Sequence, residues 1–132
     1  MYYTYKDEYI TINMPSQRSL LKITWSVRHQ CMSLFEFNQS LSLILACVEK
    51  FHPQTIVIDS THFNYRKTPE LEVFFSRLEQ HVSTGGNIAL IIGSNLLGKL
   101  TLEHITKHHN NFKTFRKRRE AIEWVHSFGF PL

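Results

Sequence analysis

The stretch Gly93-Ser-Asn-Leu-Leu-Gly98-Lys99-Leu100 comes within one residue of G-x-x-x-x-G-K-[ST], whose backbone N–H groups cradle phosphates and whose final hydroxyl holds Mg²⁺. Leu100 has no hydroxyl and Thr101 arrives one position late, so the stretch reads as a structural loop opening a helix. Such a helix start can receive an anion without hydrolysing it. Eight histidines raise metal chemistry, and His104 and His108 stand four apart, one helical turn from each other. Zinc needs further donors, and Glu103 precedes His104, so H-E-x-x-H is not spelled. With His109, Asn110 and Asn111 the pair reads as a polar helix end; no metal and no cofactor are expected. Ser60 and Ser94 follow apolar runs but lie outside G-x-S-x-G, and Asp59 beside His62 on one loop makes no triad. The chain reads as a non-enzyme.

The richest stretch is 54–75. There the short apolar run Thr55-Ile-Val-Ile58 ends on Asp59, and a loop leads to Thr68-Pro69, an N-cap followed by proline at the first helical position. In open α/β sheets, ligands and partners are met at the carboxyl ends of strands and the helix N-termini beside them. The expected partner-binding residues are therefore Asp59, Ser60, His62, Phe63, Tyr65, Arg66, Thr68 and Glu70. Phe63 and Tyr65 are the two aromatics that core packing explains least, because they lie on a loop.

These residues must be held by a single domain, since 132 residues bury one core and leave no room for a second. Hydrophobic residues at 42% and charged residues at 20% are ordinary globular values and argue against disorder. The N-terminus lacks a basic segment leading into an apolar one, and no apolar run reaches membrane-spanning length, so a cytoplasmic protein is expected. Cys31 and Cys47 have no C-x-x-C spacing, and Cys47 sits in an apolar helical segment as a free buried thiol. Residues 1–84 carry 8 basic and 8 acidic side chains, whereas 85–132 carry 7 and 3. The excess centres on Arg116, Lys117, Arg118 and Arg119, an expected anion-binding run.

Hydrophobic spacing supplies the elements. Tyr3, Tyr5, Ile10 and Ile12 alternate around a Lys6-Asp7-Glu8 turn, and Leu21, Ile23, Trp25 and Val27 alternate after Pro15-Ser16, which predicts an opening β-meander. Leu34, Phe37, Leu41, Ile44, Leu45, Val48 and Phe51 form one helical stripe closed by Pro53. Leu71, Phe74, Phe75, Leu78 and Val82 form a second, ending at Gly85-Gly86. Ile88 to Ile92 reads as a buried strand, Lys99 to Lys107 as a helix, Phe112 to Phe115 as a strand, and Lys117 to Phe128 as a last helix with Ala121, Trp124, Val125 and Phe128 inward. The fold class is α/β: two N-terminal strands, then alternating helix and strand units, giving one mixed, mostly parallel sheet with about four helices.

In order and spacing, three features resemble the SpoIIAA-like superfamily of STAS and CRAL-TRIO domains, in its small single-domain bacterial members. They are Trp25 near the end of the second alternating segment, Asp59 followed by a loop and the Pro69-Glu70 helix start, and Phe112 through Glu120-Ala121 to Trp124-Val125. The resemblance implies a STAS-like regulatory module. In that family a serine at the start of the second helix is phosphorylated, and Thr68 stands in that place, which makes it the phosphorylation candidate beside its capping role. The resemblance also implies an alternative: a carrier holding a lipid or other apolar molecule between sheet and helices, with the basic run near an acidic membrane surface. A protein partner is expected first, and self-association as a homodimer fits the same class. Nucleic acid is disfavoured, because the basic run lacks interleaved aromatics.

Overall fold

A computed structural model describes residues 3–14, 20–82, 86–107, 109 and 111–127. Pro15, Ser16, Gly85, His108, Asn110 and Phe128 lie outside these, as do the side chains of Tyr3 and His29. The elements run β1 (Tyr3–Lys6), β2 (Ile10–Met14), β3 (Leu20–Trp25), a 3₁₀ turn (Val27–Cys31), α1 (Leu34–Phe51), β4 (Thr55–Ser60), α2 (Pro69–His81), β5 (Asn87–Ile92), α3 (Leu96–Thr106), β6 (Phe112–Phe115) and α4 (Arg118–His126). The sheet keeps sequence order, β1 to β6. β2 lies antiparallel between β1 and β3, and β3 to β6 are parallel. The α/β architecture with a single mixed sheet is thus the one expected. The first alternating segment is itself a hairpin, turned where Asp7 Oδ1 accepts the N–H groups of Tyr9 and Ile10.

Successive crossovers in one direction place α1, α2 and α3 on one face. There Ile12, Ile23, Ile58 and Leu90 meet Phe37, Ile44, Leu71, Leu78, Leu102 and Ile105 in the main core. α4 alone packs on the opposite face, with Ala121 and Val125 against Leu20, Val57, Ala89 and Ile91. Alternation along β4 and β5 explains why both strands read as continuous apolar runs, since each is covered on both sides.

Helix starts are fixed by local chemistry. Ser33 and Glu36 form a reciprocal capping box on α1, and Thr68 Oγ1 accepts the Leu71 N–H with Pro69 at the first helical position of α2. Asn95 caps α3 through Gly98 N–H, so this helix begins at Leu96, three residues before the expected Lys99. α1 stops at His52, which takes the left-handed conformation (φ 47°) before Pro53. Leu34 departs from its expected stripe: it is 56% exposed on the first turn of α1.

Candidate functional site at the carboxyl end of the sheet

Because β3 to β6 are parallel, the segments that follow them, and the N-termini of all four helices, share one end of the molecule. Three of these segments are tied together. Gln30 Nε2 donates to the His62 carbonyl at 3.0 Å, and Tyr65 Oη donates to the Met32 carbonyl at 3.1 Å. Gly93 lies against Thr61 and Gly98 against Phe63 so closely that a Cβ on either would overlap a backbone carbonyl oxygen. The two glycines that resemble a phosphate loop are therefore explained by loop-to-loop packing. Thr101, whose hydroxyl came one position late, is buried.

The expected partner-binding residues do not form one surface. Asp59 is the penultimate residue of β4, and its carboxylate accepts the Thr61 N–H at 3.1 Å and the Thr61 hydroxyl. Its side chain faces the α4 side, in a cleft of about 40 Å³ with Lys22, Thr24, Ile91, Arg118 and Ile122. Ser60, the next residue, points to the opposite face and is buried. His62, Arg66 and Glu70 are exposed. Thr68 is half-buried, with its oxygen engaged in the cap.

Phe63 and Tyr65 correct the expectation that loop aromatics are available. Phe63 is 2% exposed, with its ring 6.0 Å from that of Phe37. Tyr65 stacks on Phe37 at 4.3 Å and 10°. Burial pushes its phenol above the ordinary tyrosine value, with the nearby Cys31 and Glu36 adding to the shift. Trp25 completes this group, 5.7 Å from Phe37. The loop thus folds inward, because two large apolar rings are stabilised more by burial than by exposure at a loop tip.

His104 is exposed on α3, with Lys67 Nζ 2.9 Å from its Nε2; Lys67 also pairs with Glu72 at 3.2 Å. Among the described residues no three His, Cys, Asp or Glu side chains gather as metal donors. Cys47 is buried and Cys31 exposed, neither in a disulfide among the described residues. In the basic run, Arg116 lies 3.8 Å from Glu103 and Arg119 lies 3.2 Å from Glu123. Lys117 occupies the N-cap position of α4 without a side-chain cap bond, and Arg118 shares the cleft with Asp59.

The sequence reading missed another set of residues. Of the exposed large hydrophobic side chains among the described residues, Val27, Leu34, Phe35, Leu96, Leu97 and Leu100 belong to the 3₁₀ turn after β3 or to the first two turns of α1 and α3. The seventh, Val73, lies in the second turn of α2, in the groove between α1 and α2. Phe35 is 71% and Leu96 68% exposed. In α3 the buried stripe is Gly98, Thr101, Leu102 and Ile105, which leaves the three leucines on the other side. Phe35 carried a legible signal, since it falls off the α1 stripe.

No protein-family model, curated protein or solved structure matches the chain. Among the described residues, no helix is long and apolar enough to cross a membrane.

Proposed function

We propose that the chain is a non-catalytic interaction module of the SpoIIAA-like, STAS-like kind, and that its docking face is the carboxyl end of the parallel strands. One observation carries this reading: the exposed apolar side chains gather at that end, around the exposed His62 and Arg66. Single exposed hydrophobics are ordinary, whereas several at one end of a small domain mark a contact surface. The docking residues are then Val27, Leu34, Phe35, His62, Arg66, Leu96 and Leu97, with Phe63 and Tyr65 as the internal support of the loop. The non-catalytic reading is supported by dispersal of the polar groups: Asp59 and Ser60 point to opposite faces of the sheet, and Thr68 is spent on a cap.

The carrier alternative needs space between sheet and helices. That volume is filled by Phe37, Ile44, Leu71, Leu78 and Leu90, and the clefts of about 660 Å³ between α3 and β6, about 330 Å³ between α1 and α2 and about 320 Å³ beside Tyr5 and Tyr9 are open to solvent. The docking reading is tested by placing a photo-crosslinking residue at position 35, 66, 97 or 80 in cells. Adducts from the first three positions and not from position 80 are expected; equal adducts from all four would refute it.

A further inference from the structure

We propose that the partner of this face is an anionic lipid bilayer, with Leu96, Leu97 and Leu100 of α3 and Leu34 and Phe35 of α1 entering the headgroup layer while Arg66, Lys99 and the Arg116 to Arg119 run meet lipid phosphates. The proposal rests on reading the carboxyl end of the strands as the docking face.

Leu96, Leu97 and Leu100 lie off the buried stripe of α3. The core is served by Gly98, Thr101, Leu102 and Ile105, and the opposite side of the same two turns carries Leu96, Leu97 and Leu100 in solvent, with Lys99 between them. A helix with one apolar side free and a lysine beside it suits the boundary between headgroups and acyl chains. Phe35 and Leu34 repeat the arrangement on the first turn of α1. These side chains are knobs: among them only Leu100 lines any of the four described grooves. A protein partner would have to supply hollows matched to side chains on separate elements. The acyl boundary receives them at any spacing.

Charge selects the sign of the lipid. Over β5 and β6 this end carries Lys99, Arg116, Lys117, Arg118 and Arg119; Glu103 pairs with Arg116 and Glu123 with Arg119, and Glu120 stands in the α4 first turn. Lys99, Lys117 and Arg118, together with Arg66, form no ion pair within the described residues. The other acids of this end lie further along it. Glu8 is paired with Arg28, Glu72 with Lys67, and Asp59 is held by Thr61. Asp7 and Glu36 are bonded beside Tyr5 and Tyr9, and Glu70 lies in the first turn of α2. Four helix N-termini add their positive ends to the same surface. Exposed leucines and unpaired cations thus coincide around α3 and the β6–α4 corner. An anionic leaflet attracts juxtaposed basic side chains in just this way.

The test is co-sedimentation of the full chain with vesicles of phosphatidylcholine and phosphatidylserine, and with vesicles of phosphatidylcholine alone. Wild type is expected to bind the mixed vesicles about tenfold more tightly than the neutral ones, with the difference shrinking at high salt. Leu96→Asp with Leu97→Asp is expected to abolish binding, and Lys117→Glu with Arg118→Glu to weaken it about tenfold. Gln80→Glu, at the opposite end of α2, should leave it unchanged. Each variant is checked for an unaltered melting temperature. Failure of folded wild type to bind the mixed vesicles, equal loss in Gln80→Glu, or indifference to the Leu96 and Leu97 changes overturns the proposal. If vesicles are not bound but crosslinks from positions 35, 66 and 97 trap a protein, the docking face stands and the lipid partner falls.

Discussion

Thr68 shows how one side chain can be fully explained by local chemistry. Its oxygen accepts the Leu71 N–H at 3.1 Å, so Thr68→Ala should cost about 1 kcal/mol in urea denaturation and Thr68→Ser should restore most of it. Gly98→Ala should cost more, toward the upper end of about 1–3 kcal/mol, because the new methyl meets the Phe63 carbonyl and neither backbone can yield cheaply. Glu36 links the fold to pH. Ser33 bonds to its ionised carboxylate hold it below the ordinary value of 4.5, and the Tyr9 hydroxyl contributes in the same direction. A carboxyl depressed in the folded state adds stability above its unfolded value, and that stability is lost as pH falls through the folded one. Glu36→Gln should therefore flatten the acid side of a stability-against-pH curve. Tyr9 works at the other extreme: burial first, then the carboxylates of Glu8 and Glu36, push its phenol up to about 12. Its contribution is complete below the ordinary value of 10.0 and fades as pH rises through about 12, a loss that Tyr9→Phe should remove.

At the scale of elements, spacing and caps were legible because they are local. The α1 and α2 stripes, the Thr68-Pro69 start and the limits of β6 all follow from residues within a turn or two of one another. The site was legible only as a place. Asp59 does stand near the end of a strand at the ligand-facing end, yet which of its neighbours reach solvent depends on partners remote in sequence. Phe63 and Tyr65 are drawn inward by Phe37, some 26 to 28 positions away, and no loop pattern announces that. Conversely, Leu96 and Leu97 read as loop residues until Asn95 is seen to start the helix and Gly98 to define its buried side. Phe37→Ala should cost about 3–5 kcal/mol and loosen the 61–68 loop together with α1, because one ring holds Trp25, Phe63 and Tyr65. Phe35→Asp, two residues earlier, should change stability by no more than about 0.5 kcal/mol while removing a docking knob.

The molecule as a whole is polarised. Three helices cover one face of the sheet, a single short helix covers part of the other, and every parallel strand delivers its following loop to the same end. That end concentrates exposed apolar side chains and, beside α3 and α4, the basic excess of the last third of the chain. The fold thus supplies a rigid base, while the helix starts supply the contact surface. Hydrogen–deuterium exchange of the full chain, with and without vesicles of phosphatidylcholine and phosphatidylserine, tests this arrangement most directly. Slowed exchange confined to residues 27–35, 61–67, 94–100 and 116–119 is the predicted result. Protection centred on the last turn of α2 around Gln80, or none anywhere, would contradict it.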